Sequence, residues 1–176
     1  MLLVALVPVA VYTINPFHLE TENIRPRLFG ADIYRVPSKS MLPTLMPSDL
    51  IVVSHTSYQD HNPNRRDVIV FDLGKNTHYI KRVVAIAGDT IKIDKGIVYI
   101  NQQRFSEPYI QSNNTSPYSM KMREQIVPDG SLFVMGDNRD NSNDSRIFGA
   151  ILIKSVVGKA KKIIYGKQNR SGTTIK

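Results

Sequence analysis

Two serines one residue apart, a lysine inside an apolar strand pattern and a long polar run are the parts of this chain suited to nucleophilic chemistry. The serines are Ser38 and Ser40, in Val36-Pro-Ser-Lys-Ser-Met-Leu-Pro-Thr-Leu45. Pro37 and Pro43 restrict the backbone and predict a stiff, mostly extended loop, a good mount for a nucleophile. A serine hydroxyl becomes nucleophilic only when a neighbour takes its proton. Lys81, in Tyr79-Ile-Lys-Arg-Val-Val-Ala-Ile-Ala-Gly-Asp89, is the candidate base. Strand alternation sets Lys81 beside Tyr79 and Val83, and Arg82 beside Ile80 and Val84 on the opposite face. At an ordinary pKa of about 10.4, roughly one lysine in 2,500 is neutral at pH 7. Desolvation lowers that pKa by as much as roughly 3–5 units, which brings the amine near the working pH.

The polar run lies in Met135-Gly-Asp-Asn-Arg-Asp-Asn-Ser-Asn-Asp-Ser-Arg-Ile-Phe-Gly149, following an apolar strand. Asp140, Ser142 and Asp144 alternate as in a calcium loop. Ser145, however, stands where that loop needs glycine, and Ile151 where it needs the closing glutamate. A self-bonded loop in which Asp144 or Asp137 pairs with Arg139 or Arg146 fits better, and it would present Ser142. No Gly-x-Ser-x-Gly occurs, and His18, His55, His61 and His78 show no partnered pattern, which weighs against a Ser, His and Asp triad.

The elements that must carry these groups read as strands. Short, β-branched apolar runs at 50–53, 68–71, 79–87, 90–93, 97–100, 132–135 and 156–165 are separated by turn residues. Residues 90–100 alternate and turn on Asp94-Lys95-Gly96, with Gly96 supplying positive φ. Residues 101–128 read as loop with a short strand near Tyr109, and the stretches 111–119 and 167–176 are of low complexity. Ten prolines and ten glycines interrupt any long helix. The expected fold is mainly β, an antiparallel sheet coiled into a partly open barrel that hides its edges.

The 176 residues suffice for one domain's core, and with no cysteine there is no disulfide framework and no thiol nucleophile. The net charge of +8 is concentrated at one end: residues 154–176 hold seven Lys or Arg and no acid. Such a tail is a solvated end, an attraction for anionic lipid, or a nucleic-acid contact. Residues 1–14 are apolar apart from Thr13 and would span about 21 Å as a helix, short of a hydrocarbon core of about 30 Å. They read as a short membrane anchor rather than a buried start to the domain. The expected organisation is an anchor over 1–17, a catalytic domain over 18–166 and a basic polar tail over 167–176.

Ser40-Met-Leu-Pro-Thr-Leu45, Arg66-Asp-Val-Ile-Val-Phe71, Tyr79-Ile-Lys-Arg82 with Gly88-Asp89, and Gly136 through Arg146 resemble, in order, the successive sequence boxes of type I signal peptidases. Val98-Tyr-Ile-Asn101 and Glu107-Pro-Tyr109 resemble the connection between boxes. The resemblance implies a Ser and Lys dyad on a coiled β fold that removes leader peptides from preproteins after a small residue. It assigns Ser40 as nucleophile, Lys81 as general base, and Ser38 with the Ser40 N–H as the oxyanion hole. Ser142 would orient the lysine, Asp144 and Arg146 would brace the loop, and Val36, Met41, Tyr79 and Ile80 would line the substrate pockets. No metal or cofactor is implied. The expected partners are preprotein substrates and membrane lipid, not nucleic acid. The expected location is the bacterial cytoplasmic membrane, with the catalytic domain on its outer side.

Ala85 and Ala87 stand where glycine and proline are common in that family, and Lys39 where a small residue or acid is usual. A specialised maturation peptidase for conjugation or secretion pilins would share the dyad. Self-cleaving repressors also use Ser and Lys, but they lack the long 136–146 box and carry a DNA-binding domain. A basic β module binding lipid or nucleic acid would need no Ser38, Ser40, Lys81 and Ser142 together, and Tyr165 alone offers little base stacking.

Overall fold

In a computed structural model, which describes residues 15–19, 21–74, 77–110 and 116–176, the chain is mainly β and antiparallel throughout. The anchor expected at 1–17 lies almost wholly outside the described residues, as does most of the 111–119 stretch. No helix among the described residues is long and apolar enough to cross a membrane.

A short helix, α1 (Ile24–Phe29), leads into β1 (Ala31–Arg35). The strands β2 (Leu50–Ser54), β3 (Val68–Asp72), β4 (His78–Ile86), β9 (Ser131–Met135), β10 (Ile151–Leu152) and β11 (Val156–Tyr165) join β1 in one sheet. Its order is β1-β2-β11-β3-β4-β9-β10. The strands β5 (Thr90–Asp94), β6 (Ile97–Ile100), β7 (Gln103–Arg104) and β8 (Lys121–Ile126) form a second sheet, ordered β7-β6-β5-β8. A four-residue helix, α2 (Pro117–Met120), precedes β8, and another, α3 (Ser145–Phe148), lies between β9 and β10.

β11 is the hinge of the large sheet. It pairs β3 through Val156, Gly158 and Lys159 and β2 from Lys159 onward, with bulges that bend it between the two. Gly158 is required there, because a Cβ would meet the Ser54 carbonyl and Val53. The middle of the sheet is covered on both faces. Val68 and Val70 of β3 pack with Val36, Met41, Leu45, Ile80 and Ile163, while Ile69 and Phe71 pack with Val83, Leu132 and Val134 on the reverse. This two-sided burial is why the run 68–71 is continuously apolar. A third cluster, including Val84, Ile91, Val98, Phe133 and Met135, joins the two sheets.

All seven apolar runs form strands. At the β5–β6 turn both Lys95 (φ 49°) and Gly96 (φ 76°) are left-handed, so the lysine shares the strain expected of the glycine alone. Tyr109 is not in a strand: it lies in a turn, with the Arg82 guanidinium carbon 3.9 Å from its ring centroid. Covering a buried cation outweighs strand pairing for this aromatic. The loop after Ser40 also turns instead of extending. Leu42 N–H donates to the Lys39 carbonyl at 3.2 Å and Leu45 N–H to that of Met41 at 2.8 Å. Turning buries Met41 and Leu45 in the core, which a straight loop would leave in water.

The basic tail does not stand clear of the domain. Gly172 N–H donates to the Ile163 carbonyl (2.7 Å), Ile163 N–H to that of Thr173 (2.9 Å) and Ile175 N–H to that of Lys161 (2.9 Å), folding the tail back along β11. Ile175 packs on the core, an apolar contact that holds an otherwise polar segment down.

Candidate active site

Ser40 sits at the start of the turn just described, and Lys81 in β4 where its ladder changes. Residues 78–82 of β4 pair with β3, but β9 pairs only from Arg82 onward. The second edge of β4 at 78–81 is therefore not taken by β9. Lys81 Nζ donates to Ser40 Oγ at 2.8 Å and to the Ile80 carbonyl at 3.0 Å. Ser40 and Lys81 are 7% and 4% exposed, so the contact is shielded from bulk water. Ser38 Oγ donates to Ser40 Oγ at 3.1 Å and lies 3.4 Å from the Ser40 amide nitrogen.

Burial lowers the Lys81 pKa to about 8, against the opposing pull of Asp144 and, more weakly, Asp137. Both carboxylates are themselves neutralised. Asp144 accepts from Arg146 Nε and Nη2, each at 2.8 Å, and from Gly136 N–H at 2.9 Å; it also caps α3. Asp137 receives Arg82 through Nε (2.9 Å) and Nη2 (2.7 Å), and Thr44 Oγ1. Desolvation thus dominates at Lys81, because the nearby negative charges already have cations of their own.

The polar run grips the serine turn directly. Asn138 N–H donates to the Ser40 carbonyl (3.0 Å) and its side-chain amide to that of Lys39 (3.1 Å). Ser142 is buried in the same loop, and its Oγ has no hydrogen-bond partner among the described residues. Arg146 also reaches the Arg139 carbonyl (2.7 Å) and Ser119 Oγ (2.9 Å), tying the loop to α2, the short helix ahead of β8. Of the pairings expected here, Asp144 with Arg146 is present; Asp137 pairs with Arg82, and Arg139 with Glu107.

A cavity of about 320 Å³ opens at Ser40 and Lys81. Val36, Met41, Tyr79 and Ile80 all line it, as do Ser38, His78, Asn141 and Asn143. Its floor is already packed, with Val36, Met41 and Ile80 each at most 5% exposed, which leaves shallow recesses.

A family model described as signal peptidase, peptidase S26, matches residues 1–165. The chain belongs to the signal peptidase family. Family membership makes it a hydrolase of the peptidase class. A probable signal peptidase I-1 of Synechocystis is 41% identical over 145 residues, 76% of this chain and 71% of that one. Signal peptidase I of Bacillus caldolyticus is 40% identical over 149 residues, 76% of this chain and 79% of that one. A solved signal peptidase I from Enterococcus faecalis is 32% identical and superposes with a TM-score of 0.48, covering 55% of this chain and 95% of that one.

Sequence reasoning missed Gly136, Asn138 and Asp137 as partners of the serine turn. Gly136 had a readable cue in its place at the end of an apolar strand. A Cβ there would fall far inside contact distance of Ser142 Oγ and the Ser40 carbonyl. Asn138 and Asp137 were hidden among equivalent polar neighbours.

Proposed function

We propose that this chain is a signal peptidase I that removes N-terminal leader peptides from preproteins, cutting after a small residue. The buried 2.8 Å contact between Lys81 Nζ and Ser40 Oγ carries the mechanistic reading. Neutral Lys81 takes the Ser40 proton as Oγ attacks the scissile carbonyl carbon, giving a tetrahedral oxyanion. The Ser40 N–H and the Ser38 hydroxyl stabilise that oxyanion; each such donor is worth roughly 3–4 kcal/mol of barrier. As the carbon–nitrogen bond breaks, the protonated Lys81 gives its proton to the departing amine. Water, deprotonated by Lys81, then displaces Ser40 from the acyl-enzyme, which releases the leader as a carboxylate.

Ser142 is assigned to orient the lysine; its buried hydroxyl lacks another partner in the loop that holds Ser40. Asp144 and Arg146 brace that loop. The leader adds as a strand along the open edge of β4 at 78–81, and its small side chains enter the recesses beside Val36, Met41, Tyr79 and Ile80. We assign residues 1–17 to a membrane anchor, 18–166 to catalysis and 167–176 to a basic tail at the lipid surface, outside the bacterial cytoplasmic membrane. The test is cleavage of a detergent-solubilised preprotein whose leader ends in Ala-x-Ala, read by mass spectrometry. A cut after the last alanine that disappears in Ser40→Ala is expected; a folded wild type that leaves this substrate whole would refute the general leader-peptidase reading.

A further inference from the structure

We propose that Arg170 is a positioning residue for the nucleophile turn, acting through Asp49 and the backbone carbonyls of Pro43 and Thr44. This rests on Ser40 being the nucleophile. The turn after Ser40 runs through residues 41–49 and closes where Val36 N–H donates to the Asp49 carbonyl (2.9 Å) and Ser48 N–H to that of Val36 (2.8 Å). Inside it, Asp49 accepts from Met46 N–H at 2.8 Å and is 2% exposed. A carboxylate so buried requires a cation. That cation comes from the far end of the chain: Arg170 Nη1 lies 3.0 Å from Asp49 Oδ2.

The same guanidinium serves the loop backbone. Arg170 Nη2 donates to the Thr44 carbonyl and, at 3.4 Å, to that of Pro43. Thr44 is then held from both sides, since its hydroxyl donates to Asp137, which Arg82 clasps. Arg82 follows Lys81 in β4, and its Nη1 donates to the Lys176 carbonyl at 2.7 Å. The tail therefore touches the serine turn through Arg170 and the lysine strand through Lys176. Gly166 allows this approach: a Cβ there would lie 2.9 Å from Asp49 Oδ1. The planar fork splits the work, Nη1 on the carboxylate and Nη2 on the carbonyls, whereas an ammonium would have to serve all three acceptors from a single nitrogen.

An ion pair that merely stabilised the fold would lower the melting temperature and leave turnover intact. A positioning residue lowers kcat with little change in KM. The experiment measures both constants on a leader-peptide substrate for the full chain, for Arg170→Met and for Arg170→Lys, well below each melting temperature, with Ser40→Ala as the baseline. Arg170→Met is expected to lose about 10- to 100-fold in kcat, the usual cost of a small misplacement of a reacting group. KM should stay within about twofold, Arg170→Lys should fall between, and added ethylguanidinium should restore part of the Arg170→Met turnover. A folded Arg170→Met with wild-type kcat would overturn the proposal. Should that variant not fold, a folded Arg170→Lys with wild-type kcat would overturn it equally. Turnover retained in Ser40→Ala would sink the nucleophile assignment, and this proposal with it.

Discussion

Lys81 is useful and costly for the same reason. Its amine is taken out of water, so the protonated form is penalised and its pKa falls to about 8. At pH 7 about a tenth of the molecules then hold the neutral base, against far less than a thousandth for a solvated lysine. The kcat/KM for leader cleavage should rise about tenfold per pH unit below 8 and level off above it. Lys81→Arg, which keeps the charge and cannot deprotonate, should abolish turnover; activity near wild type in that variant would exclude Lys81 as the base. The stability consequence has a definite sign. Between pH 8 and the ordinary lysine value of 10.5 the unfolded chain binds more protons than the folded one, so stability rises with pH across that window. Below pH 8 the full penalty, about 3 kcal/mol, is present. Lys81→Met should therefore be more stable than wild type at pH 7, and the difference should shrink towards pH 10.5. Urea unfolding at both pH values checks this, and equal stabilities at pH 7 would mean that the amine is not desolvated.

The strand β9 and the polar loop that follows it set where Ser40 stands relative to Lys81. Gly136 is the tightest point, with the Ser142 hydroxyl and the Ser40 carbonyl occupying the space of a side chain. Gly136→Ala should push the serine turn away and lower kcat about 100-fold. A Gly136→Ala enzyme with undiminished kcat would show that the turn is not held from this side. The loop's own brace is the buried pair of Asp144 and Arg146, at 0% and 1% side-chain exposure. Arg146→Met leaves that carboxylate buried without its cation and should cost about 3–5 kcal/mol in denaturant unfolding. These elements were unequally legible in the sequence. Strands with two covered faces, such as β3 and β4, announce themselves as apolar runs because nearly every side chain is buried. The strands β1 and β8, Ala31–Arg35 and Lys121–Ile126, have no such signature; they lie at sheet edges, β1 without a fully buried residue and β8 mostly exposed, and carry no comparable apolar pattern. Lys81 could be picked out by type, since a lysine in an apolar strand conflicts with its surroundings; only the family resemblance tells Ser40 from Ser38. Asp49 with Arg170, 121 residues apart, could not be picked out, because contacts made by chain return leave no spacing to read.

Across the whole molecule the cations divide into internal and outward sets. Of the seven basic residues in 154–176, Lys159 pairs with Asp67 and Arg170 with Asp49, while Lys154, Lys161, Lys162, Lys167 and Lys176 are exposed. Three of those lysines neighbour Ile164 and Tyr165 in sequence, which are 39% and 60% exposed. An apolar pair beside a row of ammonium groups suits a surface of anionic lipid, where each lysine contributes about 1 kcal/mol. Deleting the tail cannot test this, because it would also remove Arg170 and the segment folded along β11. Neutralising Lys161, Lys162 and Lys167 to glutamine keeps the tail docked and removes only charge. Vesicle co-sedimentation of the triple variant should show roughly 100-fold weaker binding to phosphatidylserine-rich vesicles and no change on neutral ones. Raising the salt should weaken wild-type binding towards that of the variant, since exposed charges are screened within about 10 Å at 0.1 M. Equal binding of the two proteins at low salt would return these lysines to the role of a solvated face and leave lipid contact to the N-terminal segment.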